Sequence, residues 1–402
     1  MPQRPKRASG LALSTLAVHA GREWRPPGTP PLDVPVYRAS TFRFANSAQV
    51  RRYNSGTAAG GDPELFLYGR YENPTVQAFE RRLAALEGAE RCLAFGTGMA
   101  AVSTVALAHL SQGELLLSSS VTYGGSYRFF RDHLARLGPR VLFRTPEELA
   151  RGDWPRGVKL VFIESPTNPG LRVLDIRVLA TRARKSGALL VVDGTFATPV
   201  LQRPLELGAD IVVHSATKAL AGHSDLLGGA VLGRKTVLAP VEKLRRSLGG
   251  VLGPDDAFQL SRSLKTLELR VLRQSATALT LARRLARDRR IRRVLYPGLP
   301  SHPDHAVAKR QLRAFGGLLT VELPGGVVTA RRFFDRLGLV ARAVSLGGAE
   351  SLASLPVESS HIACTAEELR RAGVTAGMVR LSIGLEDPDD LWADLDQALG
   401  RG

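Results

Sequence analysis

The side chain in this 402-residue chain best suited to covalent chemistry is Lys218. It sits in DIVVHSATKALAGHSD, Asp210 to Asp225, just past a short apolar run and among His214, Ser215, Thr217 and His223. Only eight of the 55 basic residues are lysine, so a lysine in this company means more than it would in a lysine-rich chain. A partly desolvated amine has a lowered pKa and can attack a carbonyl to form a Schiff base. A solvated surface lysine after a strand is the plainer alternative, and this stretch alone leaves both open.

A second stretch changes the balance. In ALLVVDGTF an all-apolar run from Ala188 to Val192 ends in Asp193, and such a run reads as a strand buried on both faces. Ligands of open α/β sheets collect at the carboxyl ends of strands, where Asp193 and Lys218 both fall. A carboxylate at one strand end and an amine past the next is the arrangement pyridoxal phosphate needs. The amine holds its aldehyde, and the carboxylate keeps its pyridine nitrogen protonated so that the ring acts as an electron sink.

These groups need a scaffold, and the chain is long enough for two packed domains, with 44% hydrophobic residues and 40 Gly and 24 Pro for turns. Residues 1 to about 72 hold many breakers, among them Pro26, Pro27, Pro30, Pro31 and the run Ser55 to Pro63. They read as an extended arm without a core, of the kind that packs on a partner subunit. A helix follows from Thr75 to Glu87, with Val76, Phe79, Leu83 and Leu86 on one face and Gly88 past its end. After the strand CLAFG, Gly96-Thr97-Gly98 opens another helix, whose N-terminal amides suit a phosphate; a tight turn explains the motif equally well.

Strand-like runs then recur at Glu114 to Leu117, Val141 to Phe143, Lys159 to Ile163, Ala188 to Val192 and Asp210 to Val213, with helices such as Asp175 to Lys185 between them. That alternation predicts an α/β fold with a mostly parallel sheet. Beyond the helical Ala257 to Leu285, strands at Gly317 to Leu323 and Met378 to Ile383 mix with helices at Ala330 to Leu337 and Ala366 to Ala372, predicting a smaller α+β domain. The expected division is an arm over 1–72, a large domain over 73–262 and a small domain over 263–402.

A formal charge of +18 and a pI near 10.7 raise nucleic-acid binding. The arginines are scattered along helices such as Leu281 to Arg293, without interleaved aromatics or a nucleic-acid signature, and read as solvated faces. Cys92 and Cys364 lack metal-ligand spacing and cannot build a disulfide framework, which fits a reducing, cytoplasmic setting. No apolar run approaches a membrane span, and polar residues interrupt LALSTLAVHAG after the basic MPQRPKRASG, against a signal peptide. His302 and His305 of HPDH have no accompanying ligand cluster, so no metal is expected. Cys92 reads as a small buried hydrophobe, and Glu164 as a structural acceptor at the sheet end.

Taken together, these motifs resemble the pyridoxal-phosphate-dependent enzymes of cysteine and methionine metabolism, which include cystathionine γ-synthase, cystathionine γ-lyase and methionine γ-lyase. The resemblance runs from TLAVHAG at Thr15 to SIGLEDPDDL at Ser382. It implies a type I pyridoxal-phosphate fold, a homodimer or dimer of dimers, and either γ-replacement or γ-elimination on an amino-acid substrate. By position, Lys218 of VHSATK is the Schiff-base lysine, Ser215 and Thr217 are phosphate ligands, and Asp193 is the pyridinium partner. Gly98 and Met99 of GTGMAA supply amides to the phosphate. Tyr68 and Arg70 of YGRYENPT reach the phosphate of the neighbouring subunit's cofactor, which would account for the arm. Tyr123 of TYGGSYRFF stacks on the ring and assists proton transfer, and Asn168 of ESPTNP lies near the cofactor oxygen and substrate carboxylate. Ser345 and Arg380 form the α-carboxylate site, a bidentate guanidinium being the usual answer to a planar carboxylate.

Several positions depart from the family's pattern. Gly194 stands in place of an Asn after the aspartate, Gly69 in place of a Ser, and Pro356 to His361 reads PVESSH where a PAxMTH-like run is usual. Val344 occupies the place where cystathionine-handling enzymes carry a Glu for the distal ammonium, which resembles methionine γ-lyase, as does the long arm before Tyr68. Gly125 stands where methionine γ-lyases have a Cys, and Arg128 resembles the distal-carboxylate contact of the cystathionine enzymes. A γ-synthase acting on O-succinylhomoserine reconciles Arg128 with Val344; a methionine or cystathionine γ-lyase is the alternative.

Overall fold

The structure, a computed structural model, describes residues 10–22, 29–56, 65–152, 154–362 and 364–400. The basic stretch 1–9, Pro26, Pro27 and most of the Ser55 to Pro63 run lie outside the described residues. Seven strands form the larger sheet: β1 Arg91–Phe95, β2 Leu115–Ser119, β3 Arg140–Arg144, β4 Val158–Glu164, β5 Leu189–Asp193, β6 Ile211–Ser215 and β7 Gly229–Gly233. Their spatial order is β1-β7-β6-β5-β4-β2-β3. The block from β6 to β3 is parallel, as expected, but β7 runs antiparallel to both β6 and β1. Its sequence GAVLG is short and flanked by glycines, too weak a pattern to stand out as a strand.

The apolar runs read as strands because both faces are covered. Val191 and Val213 pack with Val102, Val105 and Phe162, whereas Val192 lies on the other face with Leu179 and Ala183. Successive side chains of a strand point to opposite faces, so a doubly covered strand has no position left for a polar residue until its end. The polar side chains that end β4, β5 and β6 are Glu164, Asp193 and the pair His214 and Ser215.

Local signals set the flanking helices. Asn73 accepts from the Thr75 and Val76 amides to start the helix Pro74–Glu87, and Gly88, at φ 74°, ends it. Asp175 caps Ile176–Lys185 in the same way. A five-stranded second sheet contains β8 Arg293–Leu295, β9 Leu318–Glu322, β10 Ala341–Arg342, β11 Leu352–Ser354 and β12 Met378–Ser382. It packs with the helices Leu267–Leu285, Gly326–Arg336 and Pro388–Leu399 around Tyr296, Leu319, Phe333, Val379 and Leu391.

One expectation needs correction. The N-terminal segment is not coreless: Leu13, Leu16 and Ala17 of the helix Leu13–His19 join the cluster that holds Phe79 and Leu83 of Pro74–Glu87. Seven residues were too few for their periodicity to register against the surrounding breakers. The HPDH segment is pinned against the large sheet. His302 is buried, and Asp304 accepts from Arg172 Nε at 2.6 Å and from the Val173 amide at 3.0 Å, clasping the chain that leaves β4. No helix among the described residues is long and apolar enough to cross a membrane.

Candidate active site

A cavity of about 460 Å³ opens at the carboxyl ends of β4, β5 and β6. Its walls bring together Gly98, Met99, Tyr123, Arg128, Asn168, Asp193, Ser215, Thr217, Lys218, Ser345 and Arg380. These come from segments up to 282 positions apart, Gly98 to Arg380. Of the residues expected to contact cofactor or substrate, Tyr68 and Arg70 are absent from this wall. Arg70 instead donates to the Arg246 carbonyl and sits 5.0 Å from the Tyr71 ring centroid, beside a separate depression lined by Arg91, Lys243 and Arg246.

One end of the cavity is formed by a helix N-terminus. Thr97 caps the helix Gly98–His109, its hydroxyl taking the Ala100 amide at 3.0 Å. The Gly98 and Met99 amides, in the first turn, point along the axis toward the opening. A Cβ on Gly98 would meet Ser215 Cβ at 2.8 Å, so only glycine lets this turn close on the end of β6. Thr217 Oγ1 donates to the Gly228 carbonyl at 3.2 Å and accepts its amide at 3.0 Å, which braces the turn before Lys218.

At the sheet end, Asp193 is buried and ordered by Thr195, whose amide donates to Oδ1 at 2.9 Å. The Thr195 hydroxyl in turn accepts the Ser215 amide at 2.8 Å and ties β5 to β6. Burial raises the Asp193 pKa, while Thr195 and the nearby His214 pull it back. Thr195 was missed in the sequence reading, although an Asp followed two residues later by Thr is a local turn signal. Glu164, the register partner of Asp193, accepts the Tyr123 amide at 2.7 Å and lines the same cavity.

Lys218 Nζ donates to Ser345 Oγ at 2.9 Å. Burial, followed by the charge of Arg380, lowers its pKa from the usual 10.5, which favours the neutral amine. Ser345 has φ 113°, a conformation that costs energy for any residue with a side chain. Its carbonyl accepts Arg380 Nη2 at 2.8 Å, and Arg380 Nη1 donates to Asn168 Oδ1 at 3.0 Å. Burial lowers the Arg380 pKa to about 10, and its Nε has no partner. A buried guanidinium with an unpaired N–H is a waiting site for a carboxylate.

The family model described as "Cys/Met metabolism PLP-dependent enzyme" matches residues 14–400. The chain belongs to this family. It is 41% identical to the L-methionine gamma-lyase of Pseudomonas putida, over 96% of this chain and 97% of that one. It is 39% identical to a chloroplastic cystathionine gamma-synthase of Arabidopsis thaliana, over 96% of this chain and 68% of that one. The solved structure of a cystathionine gamma lyase from Micromonospora echinospora superposes with a TM-score of 0.88 at 40% identity, covering 98% of this chain and 100% of that one. This family member is therefore a pyridoxal-phosphate enzyme of trans-sulfuration metabolism with the type I fold.

The cavity's donor set fits that cofactor. It holds helix amides and a hydroxyl of the kind a phosphate requires, a carboxylate for a ring nitrogen, and an amine of lowered pKa for an aldehyde. Arg128 and Val344 also line the wall, Arg128 exposed and Val344 69% exposed, with Leu227, Ser359 and Ser360 in the same rim. The departure at Gly194 has a visible partner. A Cβ there would meet His214 Cε1 at 2.8 Å, and the His214 ring is bonded through Nε2 to buried Glu87 Oε2 at 3.0 Å. Among the described residues no group of three or more His, Cys, Asp or Glu side chains could hold a metal ion.

Proposed function

We propose that this enzyme catalyses γ-replacement on O-succinylhomoserine, with cysteine as the incoming thiol, giving cystathionine and succinate. The observation that carries this reading is the charge distribution of the cavity wall. Its acidic lining residues, Glu164 and Asp193, both lie at the sheet end, while the exposed part of the wall includes Arg128 and Val344. A tail bearing a carboxylate and no ammonium is the one such a rim favours.

In this reading Gly98, Met99, Ser215 and Thr217 hold the cofactor's phosphate, Asp193 its ring nitrogen and Lys218 its aldehyde. When bound, pyridoxal phosphate supplies an aldehyde for the substrate amine and a ring that takes up electron density from the α-carbon. Arg380, steadied by Asn168 and the Ser345 carbonyl, orients the substrate by its α-carboxylate. Lys218 Nζ, whose lowered pKa favours the neutral amine, takes the α-proton and returns it. The Tyr123 hydroxyl, on the exposed side of the cavity, serves as proton donor to the leaving group. Ser345 Oγ holds Lys218 within reach of the α-carbon between transfers.

The arm over 1–72 completes a neighbouring subunit's site through Tyr68 and Arg70, in a homodimer or dimer of dimers. Residues 73–262 act as the cofactor-binding domain and 263–402 as the small domain. Cys92 and Cys364 are both unpaired, which suits a reducing cytoplasm.

A second reading, γ-elimination from methionine, is favoured by the apolar part of the rim: Leu227 and Val344 are exposed there and would accept a thioether tail. The P. putida relative carries that activity in its name. A substrate panel decides between the two. O-succinylhomoserine with cysteine, cystathionine alone and methionine alone are compared by kcat/KM, and fastest turnover of methionine would overturn the synthase reading.

A further inference from the structure

Glu164 and Asp193 are adjacent carboxyl groups at the ends of β4 and β5, paired in register and both buried, at 3% and 9% exposure. Two like charges at such close quarters in a water-poor sheet end repel strongly, and each would also forfeit its hydration. Their surroundings are unequal. Asp193 has the Thr195 amide on Oδ1 and His214 close by. Glu164 has the Tyr123 amide on Oε2, and the Asn168 backbone N–H also favours its charged form, but Oε1 is buried without a hydrogen-bond partner.

Of the cations around the cavity, none neutralises Glu164 by contact. The Arg380 Nη atoms go to Asn168 Oδ1 and the Ser345 carbonyl, and Lys218 Nζ goes to Ser345 Oγ. Arg380 acts on Glu164 only through its charge at longer range. An ionised Glu164 would thus bury a bare carboxylate oxygen next to a second carboxylate, whereas a proton on Oε1 removes both costs.

We propose that Glu164 is held as the neutral acid, so that Asp193 alone carries negative charge at the strand ends and Arg380 is left unbalanced for the substrate carboxylate. This rests on the roles proposed above for Asp193 and Arg380. Glu164 is then a positioning residue: it fixes the backbone of Tyr123 through Oε2 and keeps its charge out of the site. The tendency of its carboxyl to stay protonated is in accord: burial first and Asp193 second push its pKa well above the carboxylate range, against the weaker pull of the Tyr123 and Asn168 amides and the Arg380 charge.

The test uses the holoenzyme with 13C-labelled glutamate carboxyl groups, comparing wild type and Glu164→Gln by infrared spectroscopy at neutral pH. The proposal requires that the substitution remove one protonated-carboxyl stretch. Loss of a carboxylate stretch instead would overturn it. Thermal unfolding against pH gives a second reading. A folded state that keeps a proton the unfolded chain has released loses stability as pH rises, by up to about tenfold in the folding equilibrium per pH unit. Wild type should therefore lose ground to Glu164→Gln above the ordinary glutamate range, and parallel curves would count against the idea. Glu164→Ala replaces the Gln variant in both measurements if the latter does not fold, and is expected also to bind the cofactor less tightly for want of an acceptor for the Tyr123 amide. The functional reading fails separately, if wild-type protein takes up no pyridoxal phosphate or turns over no amino acid; the infrared band does not depend on either.

Discussion

Lys218 and Ser345, 127 positions apart in the chain, are joined by a 2.9 Å hydrogen bond from Nζ to Oγ. The serine that accepts it sits at φ 113°, a costly conformation for a residue with a side chain, in the loop between β10 and β11. Removing that acceptor tests the link. Ser345→Ala should lower kcat/KM by about tenfold, the worth of one hydrogen bond to a charged or reacting group, and leave cofactor binding intact. Lys218→Ala should abolish borohydride trapping of the cofactor altogether, read by mass spectrometry. Trapping that persists in Lys218→Ala would remove this lysine from the chemistry.

Burial and Arg380 lower the Lys218 pKa from 10.5. The neutral amine is the active form, so the single-turnover rate should rise with pH through a limb that lies below 10.5 and then level off. The same shift has a sign for stability: the unfolded chain binds a proton that folded Lys218 has lost, so this group's contribution grows as pH rises toward 10.5 and is lost as pH falls. A limb centred at or above the ordinary lysine value would contradict the burial argument.

Tyr68 and Arg70 lie outside the cavity of their own chain. If they serve a neighbour's site, Lys218→Ala and Arg70→Ala proteins should each be inactive, and after subunit exchange the mixture should recover about a quarter of wild-type activity, because half of randomly paired dimers carry one intact site of two. No recovery with exchange demonstrated by mass spectrometry rules against shared sites.

Arg128 is exposed at the rim, and an exposed ion pair is worth about 1 kcal/mol or less. Arg128→Ala should therefore raise KM for O-succinylhomoserine by about fivefold at most while leaving KM for methionine unchanged. An equal effect on both substrates would show that the guanidinium does not read the distal carboxylate.

Restoring the family's usual residue at position 194 should harm this particular chain. The His214 ring fills the space a Cβ would need and is held there by Glu87, so Gly194→Asn forces a buried ring to move. Overpacking of this kind costs about 1 to 3 kcal/mol, and calorimetry should show a lower Tm. An unchanged Tm would mean that the ring has another resting place.

The parallel sheet was legible because its strands are apolar on both faces: Val191 and Val192 point opposite ways, and both are buried. Asp193 and Lys218 stood out for the same reason, as polar groups where apolar runs stop. β7 escaped notice because only three apolar residues stand between its two glycines, and the helix Leu13–His19 because seven residues carry too little helical periodicity. The tie from the Thr195 hydroxyl to the Ser215 amide and the buried state of His302 depend on neighbours distant in the chain, which no local pattern reports.

By itself, then, the order of residues determined the α/β class, the family and the lysine, since each is written in contiguous motifs or in alternation that burial imposes on neighbouring positions. Only the tertiary structure decided that Ser345 holds Lys218, that Arg380 is buried with an N–H to spare, that Glu164 shares the sheet end with Asp193, and that Arg70 faces away from its own cavity. Those relations join side chains distant in sequence, and their energies depend on distance and burial, quantities that exist only once the chain has folded.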